Sequence, residues 1–294
     1  MANVYEMVTD RIVEQMNQGV VPWHQPWVGG TALAISYESR KSYSYLNQLL
    51  LGKPGEWLTW GQIQKRKGNV KKGAKSRFCV FFHQVATEET NPKTGEQKIT
   101  YHPVLKWYKV FHIDDTEGIK SKIEQVVPNP DIKPIDEAEG VIAGYVEREA
   151  KATGFKFCNG QKSERAYYSP FKDEVVVPVL AQYEIPEEYY STTFHELTHS
   201  TMHEKRCNRK AENDGAHFGN GVYSREELVA ELGAAMLCNR IGIETEKAFN
   251  NSAAYIKSWL KALKNDPKMI VWASSRAEKA AKYILNEEQV PQGA

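Results

Sequence analysis

Residues 194 to 206, FHELTHSTMHEKR, place two histidines four apart with a glutamate directly after the first. On an α-helix, positions i and i+4 lie about 40° apart in projection, so His195 and His199 share a face and can hold one ion through their imidazole nitrogens. Glu196 is the next residue round, close enough to take a proton from an attacking water. The spacing HExxH therefore divides the work: two histidines are ligands and the glutamate is a general base. Three specified residues coincide by chance in about one chain in a hundred, so the surroundings must decide. Here Tyr190, Phe194, Leu197 and Met202 give the predicted helix an apolar packing face, as a buried active-site helix requires.

A catalytic zinc takes three protein ligands and keeps one position open. His203 does not supply the third, because the form with a third histidine reads HExxHxxGxxH and its last position here is Lys205. SREELVAELGAAML, residues 224 to 237, offers carboxylates instead. Glu227 and Glu231 share one face of a second helix, with Leu228, Val229, Leu232 and Met236 packing its other sides. Either completes a His₂Glu set, leaving the other to orient a histidine. Ser224, three residues before Glu227, also fits a capping box that would draw Glu227 back to the helix start. His217 is a lone loop histidine and a weaker candidate.

The elements that must position these residues follow from the rest of the chain. At 294 residues, with 41% hydrophobic and 26% charged, it has the composition of a two-domain globular protein. No apolar run approaches the roughly 20 residues of a membrane helix, and MANVYEMVTDRIVEQ carries acids where a secretory leader would have a basic start, so a cytoplasmic protein without membrane attachment is expected. Cys79, Cys158, Cys207 and Cys238 are scattered and form no CxxC, so neither a disulfide framework nor a thiolate zinc cluster is indicated. Val4, Val8, Ile12 and Met16 recur every four residues before Gly19 and predict an amphipathic first helix. TrpHisGlnProTrp at 23 to 27 reads as a packed turn fixing that helix. From about 31 to 113, short aromatic and β-branched runs such as RFCVFFHQV and YHPVLKWYKVFHI predict strands of a mixed sheet. The proline-rich stretch 121–136 reads as a linker between residues 1–120 and 137–294. Beyond it DEAEGVIAGYVERE predicts a helix, AYYSPFKDEVVVP a hairpin, and further helices run over about 186 to 203 and 225 to 241, with two more before the C-terminus. The fold class is α+β in two domains, a mixed α/β domain followed by a helix-rich one.

The halves differ in charge. Residues 1 to 122 hold 17 Lys+Arg against 11 Asp+Glu, net +6, and the remainder holds 21 against 26, net −5, together the +1 of the whole chain. Opposite signs point to separate partners. KRKGNVKKGAKSR, residues 65 to 77, concentrates Lys65, Arg66, Lys67, Lys71, Lys72, Lys75 and Arg77 with no acid. A cationic track beside aromatic faces is how single strands are held without regard to sequence. Trp57, Trp60, Tyr43, Tyr45, Phe82, Trp107 and Tyr108 are nearby, and half or more of such a set belongs in the core.

HELTH followed by YSREELVAELGAAML resembles the zincin-like metallopeptidase domain at the C-terminus of ArdC-type antirestriction proteins. MVTDRIVEQMNQGVVPWHQPW, KSYSYLNQLLL, WLTWGQIQKRKGNVKKGAKS and YKVFHIDDTEG resemble, in order, the single-stranded-DNA-binding domain of the same family, a domain also found in some plasmid primases. The resemblance implies His195, His199 and Glu227 as metal ligands and Glu196 as catalytic base, leaving Glu231 as the outer or alternative ligand that the residues offer. It adds Lys41, Tyr43 and Asn47, from a basic-x-Tyr-x-x-x-Asn segment, to Trp60 and the basic stretch as DNA contacts. Met202 departs from the family's glycine at the turn after the active helix. The implied function is that of a conjugative-plasmid protein that binds single-stranded DNA and protects incoming plasmid DNA from restriction. Its zinc peptidase would act on a protein such as the host restriction machinery, with manganese or cobalt as the other divalent candidates. Two rivals share these modules: a DNA-dependent protease acting on DNA-bound or crosslinked proteins, and a DNA-shielding protein whose metal is structural.

Overall fold

The computed structural model describes residues 3–19, 21–24, 33–90, 97–123, 134–159, 165–209, 221–243 and 253–287. The chain forms two compact units, Met1–Val8 with Ala34–Glu124, and Thr9–Leu33 with Gln125–Ala294. Much of the expected linker, residues 124–133, lies outside the described residues, as do His217 and residues 25–27. The architecture is α+β in both sequence halves, with helices dominating the second.

In the first unit the strands β1 (Ala34–Ser36), β2 (Gly55–Leu58), β4 (Arg77–Thr90) and β5 (Gln97–His112) form a sheet in the order β1-β2-β5-β4. β1 and β2 are parallel, and the other pairings are antiparallel. A separate pair joins β3 (Asn69–Val70) to β6 (Thr116–Glu117). α2 (Tyr45–Leu51) buries Leu51 with Ala34, Trp57, Cys79 and Val110, and Tyr43 and Tyr108 close the rim of this cluster. Two neighbouring amides on α2 then clamp opposite edges of the sheet. Asn47 bonds both the N–H and the C=O of Val80 on β4, at 2.8 and 2.9 Å, and Gln48 does the same to Ala34 on β1, at 2.8 and 2.9 Å. Each side chain imitates one residue of a neighbour strand and satisfies the backbone N–H and C=O of Val80 and of Ala34 at those edges. α3 (Trp60–Lys65) starts from a capping box in which Thr59 and Gln62 exchange side-chain bonds, and it buries Ile63 with Leu58 and Tyr37.

α1 (Val4–Asn17) is the expected amphipathic helix: Val8, Ile12 and Met16 are buried, and Gly19, at φ +80°, ends it through a bond to the Met16 carbonyl. From Thr9 on it belongs to the second unit, where the Thr9 hydroxyl donates to the Pro267 carbonyl at 2.9 Å. Trp23 follows as a packed turn, fully buried edge-on against Trp259 at 6.2 Å.

The second unit contains α4 (Pro134–Thr153), α5 (Pro186–Ser200), α6 (Gly221–Ile241), α7 (Ala253–Asn265) and α8 (Met269–Ile284). The predicted hairpin is present as β8 (Tyr167–Ser169) and β9 (Glu174–Val176), to which β7 (Lys156–Cys158) adds in parallel. α6 is the central helix. Leu228, Val229, Leu232, Ala235, Leu237 and Cys238 bury most of its circumference. α5 packs across it with Phe194 and Leu197 buried, and its hydroxyls find backbone partners, as when Thr198 donates to the Phe194 carbonyl at 2.7 Å. Among the described residues no helix is long and apolar enough to cross a membrane.

Candidate metal centre

α5 begins with Pro186 in its first turn beside Glu187 and Glu188, a pairing of fixed φ and negative charge that suits a helix N-terminus. Its other end carries HELTH. Helices α5 and α6 approach closely where Gly233 faces Thr198: a Cβ on Gly233 would stand 2.5 Å from Thr198 Cγ2. That approach brings the first turns of α6 over His195 and His199.

Three ligand atoms converge there. The Nε2 atoms of His195 and His199 are 3.2 Å apart. Glu227 places one carboxylate oxygen 3.5 Å from His195 Nε2 and the other 3.4 Å from His199 Nε2. All three residues offer a donor within 4.8 Å of the others. Donors held about 2 Å from a tetrahedral ion lie roughly 3.3 Å apart, so the spacing suits a divalent cation. The electrostatics agree. Burial opposes a charged imidazole at His199, yet the carboxylates of Glu226 and Glu227 overcome it and push its pKa up to about 10. His195 is raised in the same way against its burial, by Glu227 and the charges of Glu231 and Glu196. Burial likewise opposes the Glu227 carboxylate, and the two imidazoles hold its pKa far below the usual range. A site that draws positive charge onto two facing imidazole nitrogens is one that a cation satisfies.

The alternatives left open by the residues are decided by position. α6 begins at Gly221, so Ser224 lies in its fourth position and is not its N-cap; Glu227 points to the histidines rather than back to the helix start. Glu231, one turn on, is outside the converging set and acts on His195 through its charge. Glu196 is buried within electrostatic reach of both histidines. His203 is not part of the cluster.

Sequence reasoning passed over Glu226 and Arg209. Glu226 sets Oε1 3.6 Å from His199 Nδ1, the ring nitrogen away from the cluster. Arg209 grips that carboxylate through Nη2 at 2.7 Å and Nε at 3.2 Å, and also donates to the Thr198 carbonyl and the Thr201 hydroxyl. Burial works against Glu226, but His199 and Arg209 hold its pKa down at about 2. A carboxylate behind a ligating histidine fixes its tautomer and ring angle. Glu226→Gln is therefore expected to weaken metal binding about 10- to 100-fold, measured by competition with a chelator, with circular dichroism confirming the fold. Affinity unchanged from the parent would reduce Glu226 to a packing role. The only signal in the sequence was the doubled glutamate itself.

The DNA-contact candidates are distributed differently. Lys41, Lys65, Lys67, Lys71, Lys72 and Lys75 are exposed. Arg66 is paired with Glu38 and lies over the Tyr37 ring at 5.0 Å, and Arg77 lies over Trp57 at 5.7 Å. Trp60 is 53% exposed. Tyr43 is part-buried in the sheet core, and Asn47 is buried with its amide committed to Val80, so this pair holds the fold.

A buried helix bearing HExxH, crossed by a second helix that supplies a glutamate, defines a zincin-like metallopeptidase domain. Family models agree: zincin-like metallopeptidase matches residues 145–276, and the N-terminal domain of anti-restriction factor ArdC matches residues 2–111. The crystal structure of antirestriction ArdC from plasmid R388 in its metal-free form is 30% identical, covers 98% of this chain and 100% of that one, and superposes with a TM-score of 0.68. Its Mn(II)-bound form gives 29% identity, coverage of 97% and 98%, and a TM-score of 0.69. The chain belongs to the ArdC-type antirestriction proteins. It is also 30% identical over 308 residues to the DNA primase TraC of Escherichia coli, spanning 97% of this chain but only 27% of that protein. The uncharacterized protein y4eC of Sinorhizobium fredii (strain NBRC 101917 / NGR234) is 27% identical, covering 96% of this chain and 91% of that protein.

Proposed function

We propose that the chain is a cytoplasmic antirestriction protein that holds single-stranded DNA through its first unit and carries a metallopeptidase in its second. The converging His195, His199 and Glu227 donors carry the peptidase reading. Zinc fits two imidazoles and a carboxylate, and the manganese of the R388 relative makes it the second candidate. A divalent ion bound there supplies Lewis acidity toward a peptide carbonyl. The chain's own part is to hold that ion with His195, His199 and Glu227, to keep His199 oriented through Glu226 and Arg209, and to move protons with Glu196. The Glu196 carboxylate takes a proton from the attacking water and returns it to the leaving amine. The substrate class is a protein encountered on DNA, host restriction machinery among them, and the primase relatives support a DNA partner.

Binding by exposed lysines is expected to be backbone-dominated and salt-dependent. If Lys65, Lys67, Lys71, Lys72 and Lys75 neutralise about five phosphates, affinity for a thymidine oligonucleotide falls roughly 100-fold between 50 and 200 mM salt. Fluorescence anisotropy across that range tests it. Cleavage of a DNA-bound protein should be stimulated by the same oligonucleotide. Affinity indifferent to salt removes the DNA reading, and absence of metal from freshly purified protein removes the peptidase one.

A further inference from the structure

Past the end of β2, the strands β4 and β5 continue as a two-stranded arm. β2 meets β5 only at His112 and Phe111, whereas β4 and β5 stay paired from Arg77 and Val110 out to Thr90 and Gln97. A lone two-stranded ribbon gains little stability of its own in water, and exposed apolar groups along one call for a partner.

Residues directly opposite one another share a face. Phe78 opposes Lys109, Val80 opposes Trp107, Phe82 opposes Leu105, and Ala86 opposes Tyr101, all on one side of the arm. Trp107 is 41% exposed, Phe82 52% and Tyr101 66%. The same row runs down β5 to Phe111, against which Trp60 packs at 6.2 Å with half its surface open. Four exposed rings thus follow one strip. The register sets Phe82 one alternate step from Trp107 and Tyr101 two steps further, about 7 and 14 Å along the arm, distances that an extended strand's bases can span from ring to ring. Lys109, opposite Phe78 and next to Trp107 in the row, is the cation on this face, and residues 1 to 122 as a whole carry net +6.

We infer that this face of the β4–β5 arm is the stacking platform for single-stranded DNA, with Trp60, Trp107, Phe82 and Tyr101 against bases and Lys109 toward the backbone. The inference rests on the DNA reading above and gives it a surface other than the basic stretch alone. A protein strand would add to the open edge of the arm through its backbone; exposed rings in a row beside Lys109, in a net-positive half of the chain, suit bases instead.

The test uses the full chain and a fluorescent thymidine oligonucleotide. Phe82→Ala combined with Tyr101→Ala alters only exposed side chains, so the fold is retained, as circular dichroism and thermal unfolding check. Affinity is expected to drop at least roughly 25-fold, from about 5-fold or more per lost stack. The slope of log affinity against log salt is expected to stay the same, because no charge has been removed. Tyr101→Phe should bind as the parent does. A double variant that binds the oligonucleotide like the parent overturns the inference while leaving DNA binding itself standing, and points to a protein on the arm. Failure of the parent to bind overturns both.

Discussion

Arg206→Met is expected to lower the stability of the second unit by about 3–5 kcal/mol, seen as a reduced urea midpoint at constant slope. All five guanidinium N–H groups are used. Nε donates to Glu149 at 2.9 Å; Nη1 donates to Asp173 at 2.8 Å and to the Ser200 carbonyl at 2.7 Å; Nη2 donates to Asp173 at 2.6 Å and to the Thr153 hydroxyl at 3.0 Å. The guanidinium also lies over Phe155 at 4.9 Å. One side chain thereby ties α4, the turn before β9 and the end of α5, and Tyr283 of α8 joins through its bond to Glu149. Methionine fills much of the volume but leaves Asp173 without its cation and Glu149 with Arg148 alone, which is the costly way to break a buried pair. Lysine should recover only part of the loss, since an ammonium cannot reproduce the fork. The pH dependence has a definite sign. Burial works against the Asp173 carboxylate, yet Arg206 and the Tyr168 hydroxyl hold its pKa below the usual value. A depressed carboxylate contributes stability above its unfolded pKa of about 3.9 and loses that contribution as the pH falls through its folded value. The gap between parent and variant should therefore be full at neutral pH and narrow below about pH 4. A gap that stays constant into acid would separate the effect from this ion pair. Because α5 ends at Ser200, one residue past His199, the variant should also bind metal less tightly.

Glu196→Gln is expected to reduce peptide hydrolysis roughly 10²- to 10⁴-fold while leaving metal content and oligonucleotide affinity at parental levels. The reason lies in the division of labour at the site. The converging donors are His195, His199 and Glu227, so removing the Glu196 charge takes away no ligand. Glutamine keeps the size of a buried side chain but cannot carry a proton from the water to the amine. Metal analysis alongside a proteolysis assay distinguishes this outcome from loss of the ion. The same variant addresses biology: if it protects transferred DNA from restriction as well as the parent, protection comes from shielding the DNA, and the metal then serves another end. Residual hydrolysis near the parental rate would mean that another group serves as base.

The particular elements show where reading the chain succeeds. HELTH is legible because i and i+4 face alike on any helix, and the apolar pattern that makes α6 a helix aligns Glu227 and Glu231 as the two candidate ligands, between which the fold chooses Glu227. Glu226 was not legible. On α6 it is one residue from Glu227 and turned about 100° away, so local geometry alone assigns it to a different face. It reaches the far nitrogen of His199 only because α5 and α6 cross closely at Gly233 and Thr198. Arg209, which holds it, comes from a segment with no periodicity to read. Asn47 tells the opposite story: its place in a family-like motif suggested a DNA contact, and the fold uses it to finish the edge of β4.

The strands of the first unit were predicted from their aromatic and β-branched runs, but not that two of them would outrun the sheet. Pattern fixes which residues alternate; how far neighbours cover them depends on the lengths of β1, β2 and the helices above. By itself, then, the amino-acid sequence determined the class of each half, the metal-binding face of one helix and the pair of carboxylates, Glu227 and Glu231, from which the third ligand comes, since these depend on helical period and residue chemistry alone. Tertiary structure decided which carboxylate stands behind His199, which basic residues remain free of internal partners, and which rings lie in the open. Those depend on distances between segments far apart in the chain, set by close packing rather than by any local repeat.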